Sequence, residues 1–261
     1  MKKDWLLAVG CSLTWGTDTT VIGSSVPEDK DNAWPTHLGK LLGAETVVNR
    51  GWPGRSNGSI YRVAQEELVR CYQEYGTSGM VVIQWTGPAR LELVNPFKID
   101  VPEEIKKTST STSQHPGTEG SFLCVTPQEL CGTTGSLSHV LPGVYQYFTT
   151  YWAYDFYQQE LLINYSVSLT SLANRLGITI LQFNGIDQLT PNALQPHAAH
   201  MASMIGKEYM SPTDRDYSFW NTYCNFETST NWVSLPPHPN TSNHIDWASK
   251  LYNYSIDNRL G

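Results

Sequence analysis

Short apolar runs predict the strands of this protein. Trp5–Val9 is a continuous apolar run that ends at Gly10, which is the pattern of a strand buried on both faces of a sheet. Three further short strands are predicted at Thr46–Asn49, Met80–Trp85 and Ile178–Phe183.

Longer segments between these runs repeat apolar residues at the spacing of a helix. They are Asn32–Leu42, Ser59–Tyr75, Tyr151–Leu176 and Ser242–Ile256, and Ser59 is a suitable N-cap for the second of them. Strands that alternate with helices predict one α/β domain over residues 1–261, with a mostly parallel sheet covered by helices on both faces.

Residues 94–141 interrupt this alternation with an irregular insertion that shows little periodicity. It contains the low-complexity stretch Lys106–Gly120, which is rich in Thr and Ser. Irregular segments of this length are usually functional or mobile loops. We interpret the insertion as a lid or rim beside a binding site, and a surface excursion without a role is the alternative.

The composition excludes several classes of partner. Of the 261 residues, 40% are hydrophobic and 16% are charged, and the net charge is −7, so neither nucleic acid nor an anionic membrane is expected as the main partner. No apolar run is long enough to span a bilayer, and Trp5–Val9 is too short for a secretion signal. We therefore expect a protein made in the cytoplasm without a signal peptide.

The cysteines and histidines give little support for a metal or redox centre. None of the five cysteines forms a Cys-x-x-Cys pair, and a disulfide between Cys124 and Cys131 is the less favoured alternative in a reducing compartment. His197 and His200 have a spacing that can bind metal, but no carboxylate or third histidine accompanies them. The sequence also lacks a phosphate loop and a dinucleotide fingerprint, so we expect no metal and no cofactor.

The strongest chemical signal stands where the first strand ends. Gly10–Gly16 reads Gly-Cys-Ser-Leu-Thr-Trp-Gly, and ligands of parallel sheets bind at the carboxyl ends of strands. A serine at this place can present its hydroxyl to the crevice and its backbone N–H to a developing oxyanion. A serine between glycines is also common in tight turns, so Ser12 alone is weak evidence.

Two other segments strengthen the case for Ser12. Asn49–Gly54 follows the second strand, and Gly54 can bring a backbone N–H close to a ligand. Pro237–Asn240 precedes the last helix, and its prolines restrict the backbone around His238. A neutral histidine within reach of Ser12 can take its proton during attack on a carbonyl carbon.

These three blocks resemble those of the SGNH, or GDSL, hydrolase superfamily. The family's first block is Gly-Asp-Ser-Leu/Ile-Thr-x-Gly, from which Gly10–Gly16 differs at Cys11. Its second block, Asn-x-Gly-x-x-Gly, matches Asn49–Gly54, and its final His-Pro matches His238-Pro239. The stretch Trp85–Glu92 is further similar to the compact members that bacteriophage genomes encode.

The resemblance implies a fold and an activity. The fold would be a three-layer α/β/α domain with a flavodoxin-like, mainly parallel sheet of about five strands. Ser12 would be the nucleophile and His238 the general base, and the backbone N–H groups of Ser12 and Gly54 would bind the oxyanion. The protein would be a serine esterase that removes acetyl or similar acyl groups from a carbohydrate or a small ester.

The chain departs from the family in two places. The family's asparagine after the third strand is absent, and Gln84 or Thr86 is the substitute donor that the sequence offers. The family's triad acid falls at Leu235, so His238 would be oriented by backbone carbonyls or by Asp187. A serine-histidine dyad is therefore the predicted catalytic unit.

Further residues are candidates for binding substrate or supporting the site: Asn57, Gln84, Thr86, Arg90 and Trp232. Trp232 belongs to an aromatic cluster with Trp220, Tyr223 and Phe226, which predicts either the core of a loop or a wall that stacks on sugar rings. His244 is predicted to cap the final helix or to face solvent.

Two alternatives stay open. Gly54–Gly58 fits the nucleophile elbow Gly-x-Ser-x-Gly, in which Ser56 would act with Asp187 and His238. Because other residues separate this motif from the preceding strand, Ser56 and Asn57 more readily shape the turn. The other alternative is a catalytically degenerate SGNH fold that serves as a virion structural or glycan-binding component, as a homo-oligomer or with virion neighbours.

Overall fold

The computed structural model of the protein describes residues 2–16, 30–87, 90–94, 122–125, 155–186, 205–211, 218–223 and 238–260. Within these ranges the strands are β1 (Trp5–Gly10), β2 (Thr46–Gly51), β3 (Gly79–Trp85), β4 (Leu91–Val94), β5 (Phe122–Val125), β6 (Thr179–Asn184) and β7 (Tyr209–Met210). The helices are α1 (Ser12–Trp15), α2 (Trp34–Leu42), α3 (Asn57–Tyr75), α4 (Asp155–Leu176), α5 (Phe219–Tyr223) and α6 (Thr241–Asp257). None of the helices in the described ranges combines the length and the apolar composition that crossing a bilayer requires.

The central sheet has five parallel strands in the order β2-β1-β3-β6-β7. The chain moves from β1 outward to β2 and then returns to the other side of β1 as β3. Such a reversal leaves a crevice at the carboxyl ends of the strands on either side of it, where ligands bind in doubly wound folds. The predicted mainly parallel, flavodoxin-like sheet is therefore confirmed.

Alternate residues of β1 enter two different hydrophobic cores. Trp5, Leu7 and Val9 pack with residues of α3 and α4 on one face of the sheet. Leu6 and Ala8 pack with residues of α2 and α6 on the other face. Because helices cover both faces, β1 is apolar at every position rather than at alternate ones. The predicted three-layer α/β/α architecture is confirmed.

The start of α3 differs from the prediction. The helix begins at Asn57, and its cap is Ser56 rather than Ser59. The Ser56 hydroxyl accepts a hydrogen bond from the Ser59 backbone N–H at 3.1 Å. Both serines are good capping residues, so the pattern of apolar positions alone does not distinguish them.

One strand lies inside the insertion predicted to be irregular. β5 pairs with β4 in an antiparallel ladder that places Val94 opposite Phe122. The prediction of irregular structure is thus wrong at residues 122–125. Residues 95–121 and 126–141 lie outside the described residues, and the lid or rim role stays a prediction.

His244 is buried, and the prediction that it caps its own helix or faces solvent is wrong. None of its surface is exposed, and its Nδ1 accepts a hydrogen bond from the Trp34 backbone N–H at 3.0 Å. Trp34 is the first residue of α2, and Phe219 packs against the imidazole with 5.0 Å between ring centroids. His244 therefore caps α2 from α6, a contact between residues too distant in sequence for local patterns to reveal.

Candidate active site

Ser12 lies on a sharp turn at the carboxyl end of β1. The chain passes from Gly10 through one residue into α1, a single helical turn that Gly16 closes with a φ of 93°. A Cβ atom at Gly10 would collide with the Thr14 hydroxyl and lie 2.7 Å from the amide oxygen of Gln84. The turn therefore requires glycine at position 10, and it leaves Ser12 with 8% of its surface exposed.

His238 faces Ser12 across the site. Its Nε2 atom lies 3.0 Å from the Ser12 Oγ. When the imidazole proton is on Nδ1, the Ser12 hydroxyl donates to Nε2, which is the arrangement that a general base needs. The structure thus brings together the two side chains that the sequence predicts to be catalytic.

His238 lies between the start of α6 and the ring of Trp220. It precedes the N-terminus of α6, where Asn240 forms a capping box with Asn243. The ring of Trp220 meets the imidazole at 86°, with 5.6 Å between their centroids. The capping box thus defines where α6 begins, two residues after His238, and Trp220 packs edge-on against the imidazole.

Several predicted site residues lie outside the described residues. They include Leu235, which occupies the family's acid position, the alternative acid Asp187 and the aromatic Trp232. The predictions made for them stay predictions. His197 and His200 also lie outside, and within the described part of the chain no three His, Cys, Asp or Glu side chains gather as a metal site would require.

Asn49 connects the second motif block to the turn that carries Ser12. Its Nδ2 donates to the Thr14 carbonyl oxygen at 2.8 Å, and its Oδ1 accepts the Gly51 N–H at 2.8 Å. A Cβ atom at Gly51 would collide with the backbone of Trp15. The sequence resemblance matched Asn49 and Gly51 without giving them a role, and the structure shows that they bring the end of β2 against α1.

The two backbone N–H groups that the sequence predicts to bind an oxyanion belong to Ser12 and Gly54. The Ser12 N–H belongs to the first turn of α1, where helical N–H groups have no partner within the helix. Gly54 has a φ of 77°, a left-handed conformation that glycine adopts without strain. Within the described residues neither N–H donates to an acceptor.

Gln84 supports the nucleophile turn, and its amide is fully engaged. Its Oε1 accepts the Cys11 N–H at 3.2 Å and the Thr14 hydroxyl at 2.8 Å. Its Nε2 donates to the Trp85 carbonyl oxygen at 3.0 Å and to the Cys11 Sγ at 3.2 Å. No amide hydrogen of Gln84 is left for an oxyanion. Of the two roles predicted for Gln84, the geometry therefore fits support of the site rather than donation of a hydrogen bond to the oxyanion.

Asn57 and Thr86 bind each other. The Asn57 Oδ1 accepts the Thr86 N–H at 2.8 Å, and its Nδ2 donates to the Thr86 carbonyl oxygen at 3.1 Å. Both residues are buried. This reciprocal pair ties the start of α3 to the segment that leaves β3, and it occupies the Thr86 backbone N–H.

Arg90 lies close to the nucleophile turn. Its Nη1 donates to the Arg55 carbonyl oxygen at 3.3 Å, next to Gly54. Burial by itself raises the pKa of the Cys11 thiol, but the charge of Arg90 and hydrogen bonds from Leu13, Gln84 and Thr86 outweigh it and lower that pKa from its ordinary value. Cys11, which replaces the family's aspartate, thus lies in an electropositive and hydrogen-bonded environment.

The competing elbow at Ser56 lacks the geometry it requires. β2 ends at Gly51, and a loop separates it from Ser56, whereas an elbow turns directly from strand to helix. The Ser56 hydroxyl caps α3 and is almost fully buried. The structure therefore gives Ser56 a role in shaping the turn.

Aromatic rings surround the nucleophile turn. Trp15 and Trp52 are half-buried and meet at 72° with 4.6 Å between centroids, and the Lys30 Nζ lies 4.3 Å from the Trp15 ring. Of the predicted aromatic cluster, Trp220 contacts His238, whereas Tyr223 packs against core residues of α5 and α6. Its other two members lie outside the described residues.

Comparisons with known proteins yield only distant similarities. No family model matches the sequence, and no curated protein matches it. Among solved structures, a protein from Desulfitobacterium hafniense DCB-2 assigned to the G-D-S-L lipolytic family aligns over 96% of this chain and 99% of its own, with 12% identity and a TM-score of 0.45. TesA aligns over 97% of this chain and 98% of its own, with 14% identity and a TM-score of 0.46.

A third structure, the acetyl xylan esterase Est2A from the rumen bacterium Butyrivibrio proteoclasticus, aligns over 99% of this chain but only 64% of its own. Its identity is 10% and its TM-score is 0.44. In its strand order, and in the three motif blocks at the carboxyl edge of its sheet, the chain resembles the SGNH, or GDSL, hydrolases.

Proposed function

We propose that this protein is a serine ester hydrolase of the SGNH type, with Ser12 as nucleophile and His238 as general base. The observation that carries the proposal is the 3.0 Å contact between the Ser12 Oγ and the His238 Nε2 at the carboxyl edge of the sheet. A serine hydroxyl is a weak nucleophile unless an adjacent base accepts its proton, and this contact supplies that base.

The reaction begins when the Ser12 Oγ attacks the carbonyl carbon of the ester and its proton passes to the His238 Nε2. The backbone N–H groups of Ser12 and Gly54 stabilise the negative oxygen of the tetrahedral intermediate. Collapse of this intermediate breaks the bond to the alcohol oxygen, which takes the proton from His238. Water then attacks the acyl-enzyme while His238 removes one of its protons, and the acid is released as Ser12 regains its hydrogen.

The proposed substrate is an acylated carbohydrate, and the acyl group is acetyl or of similar size. Trp15 shares a helical turn with Ser12, and Trp52 lies in the loop that leads to Gly54. Both indoles keep part of their surface exposed, and aromatic faces suit the apolar faces of sugar rings. The motif resemblance suggests a phage-encoded enzyme that modifies a surface polysaccharide of its host.

Hydrolysis of 4-nitrophenyl acetate and of acetylated xylan tests the proposal. We expect the wild-type protein to release 4-nitrophenol and acetate, and the Ser12→Ala variant to lose more than about 10³-fold in kcat/KM. Ser171→Ala is the matched control, because Ser171 is exposed on α4 away from the site. Equal activity in the wild type and Ser12→Ala would remove Ser12 from the mechanism.

A second candidate is a catalytically degenerate protein that binds glycans or neighbouring virion subunits. Leu235 at the family's acid position favours it, because loss of the acid from a serine-protease triad lowers turnover about 10⁴-fold. Equal affinity of the wild type and Ser12→Ala for an acetylated glycan, with no acetate released by either, would select this candidate. Sedimentation of the purified chain would then show whether it assembles with itself.

A further inference from the structure

A cavity of about 210 Å³ opens between the start of α3 and the first half of α4. We call it the arginine cavity, because Arg62 on α3 and Arg90 after β3 both line it, together with Asn57, Gln158 and Tyr165. None of the described residues that line the cavity is acidic. Two arginines therefore line one cavity in a chain whose net charge is −7.

One wall of the arginine cavity, Tyr165, packs against other aromatic rings. Tyr165 stacks on Tyr61 with 4.5 Å between ring centroids and lies nearly parallel to Trp85 at 6.4 Å. Gly58 stands one helical turn before Arg62 and has no side chain to fill the space between α3 and Tyr165. Tyr165 is thus held in place by other aromatic rings, and Gly58 leaves space beside it.

The arginine cavity adjoins the candidate active site on the side of Gly54. Arg90 donates to the carbonyl oxygen of Arg55, the residue after Gly54. Asn57 lines the cavity and binds the backbone of Thr86, two residues beyond the Gln84 that supports the Ser12 turn. The charge of Arg90 also acts on the thiol of Cys11, the residue before Ser12.

We propose that the arginine cavity binds an anionic group, a carboxylate or a phosphate, of the ester substrate whose acyl group reaches Ser12. Guanidinium groups bind both anions through charge-assisted hydrogen bonds, and such bonds are stronger than those between neutral groups. The amide of Gln158 and the hydroxyl of Tyr165 add neutral hydrogen-bonding groups around the anion. The inference rests on the proposed function and specifies it: the substrate is an acidic, acylated molecule.

Three acetate esters with the same acyl group separate the two anions: phenyl acetate, 4-acetoxybenzoate and 4-acetoxyphenyl phosphate. For each protein, kcat/KM for a charged ester is divided by kcat/KM for phenyl acetate. A change that affects the hydrolysis of all esters equally then leaves this ratio unchanged. We expect this ratio to fall about tenfold or more in Arg62→Gln and in Arg90→Gln, for whichever charged ester the cavity accepts.

Arg175→Gln is the matched control, because Arg175 is exposed in the last turn of α4, remote from the cavity. Its ratio should equal that of the wild type. Unchanged ratios for both charged esters in Arg62→Gln and Arg90→Gln would overturn the proposal. The charged ester whose ratio falls in the arginine variants shows whether the cavity binds a carboxylate or a phosphate.

Calorimetry on the Ser12→Ala protein separates this inference from the proposed function. We titrate it with 4-hydroxybenzoate and with phenyl phosphate, and expect one of them to bind. Its Kd should rise with the NaCl concentration. Its Kd should also be at least tenfold higher for the Ser12→Ala, Arg62→Gln double variant than for Ser12→Ala. Binding without hydrolysis by the wild type would reject the proposed function and keep the cavity as an anion site. Hydrolysis by the wild type with no anion binding would reject the cavity and keep the function.

Discussion

Replacing Gln84 by methionine removes the side chain that joins the end of β3 to the turn carrying Ser12. Gln84 is fully buried, and its Oε1 accepts hydrogen bonds from the Cys11 N–H and the Thr14 hydroxyl. Methionine preserves the length of the side chain but accepts neither bond. Two donors then remain buried without an acceptor, and each such donor costs about 1 to 3 kcal/mol.

We therefore expect Gln84→Met to lower the free energy of unfolding by about 2 to 6 kcal/mol, measured by urea denaturation followed by tryptophan fluorescence. The activity should fall as well, because a nucleophile displaced by about 1 Å loses about 10²-fold in rate. That loss is measured as kcat/KM for 4-nitrophenyl acetate under conditions where the variant is folded.

Gln65→Met is the matched control for this prediction. Gln65 lies on α3, is half-buried, and donates a single hydrogen bond to the Tyr61 hydroxyl at 2.8 Å. Its replacement should change the free energy of unfolding by less than about 1 kcal/mol and leave kcat/KM close to that of the wild type. If Gln84→Met and Gln65→Met behave alike in both measurements, Gln84 does not hold the nucleophile turn.

Three further predictions concern single residues. Gly54→Ala and Gly76→Ala both place a Cβ on a backbone with φ near 78° and should each cost about 1 to 3 kcal/mol of stability. Only Gly54→Ala should lower kcat/KM, because Gly76 ends α3 away from the site and a Cβ there meets no atom within 4 Å. His244→Leu leaves the buried Trp34 N–H without an acceptor and should lower the free energy of unfolding by about 1 to 3 kcal/mol in urea denaturation. Burial raises the pKa of Glu67, but hydrogen bonds from two arginines outweigh it and hold that pKa below the ordinary value of 4.5. The ionised carboxylate of Glu67 therefore stabilises the fold above pH 4.5. The difference in free energy of unfolding between the wild type and Glu67→Gln should shrink as the pH falls below 4.5.

Each of these predictions has an outcome that contradicts it. An equal drop in kcat/KM for the two glycine variants would mean that backbone strain acts globally rather than at the oxyanion. Unchanged stability in His244→Leu would show that Trp34 finds another acceptor. A stability difference between the wild type and Glu67→Gln that stays constant from pH 7 to pH 3 would show that the carboxylate gains nothing from its arginine partners.

The layers of the fold could be predicted from the sequence because burial on both faces leaves a local signature. β1 and β3 are apolar at nearly every position, and each helix repeats its apolar residues on the face that meets the sheet. These patterns need only neighbouring residues. Short turns such as α1, and the choice between Ser56 and Ser59 as a cap, depend on backbone geometry that the periodicity does not encode.

For the candidate site, the sequence predicts only the residues that belong to the three motif blocks, because those blocks occur in a fixed order along the chain. Ser12 and Gly54 follow the neighbouring parallel strands β1 and β2, and His238 precedes α6 and contacts Ser12. The contacts of Gln84 with Cys11, and of His244 with Trp34, join residues 73 and 210 positions apart. Such pairings depend on side-chain directions in the packed core, so no local pattern marks them, and the same holds for the arginine cavity.

The central claim is that Ser12 is a nucleophile activated by His238, and covalent labelling tests it most directly. The protein is treated with a fluorophosphonate, which phosphonylates activated serines, and the adduct is located by peptide mass spectrometry. We predict one adduct on Ser12, its absence in Ser12→Ala, and labelling slowed at least about 10²-fold in His238→Ala. Labelling of Ser56 instead, or labelling of Ser12 at the same rate without His238, would contradict the claim.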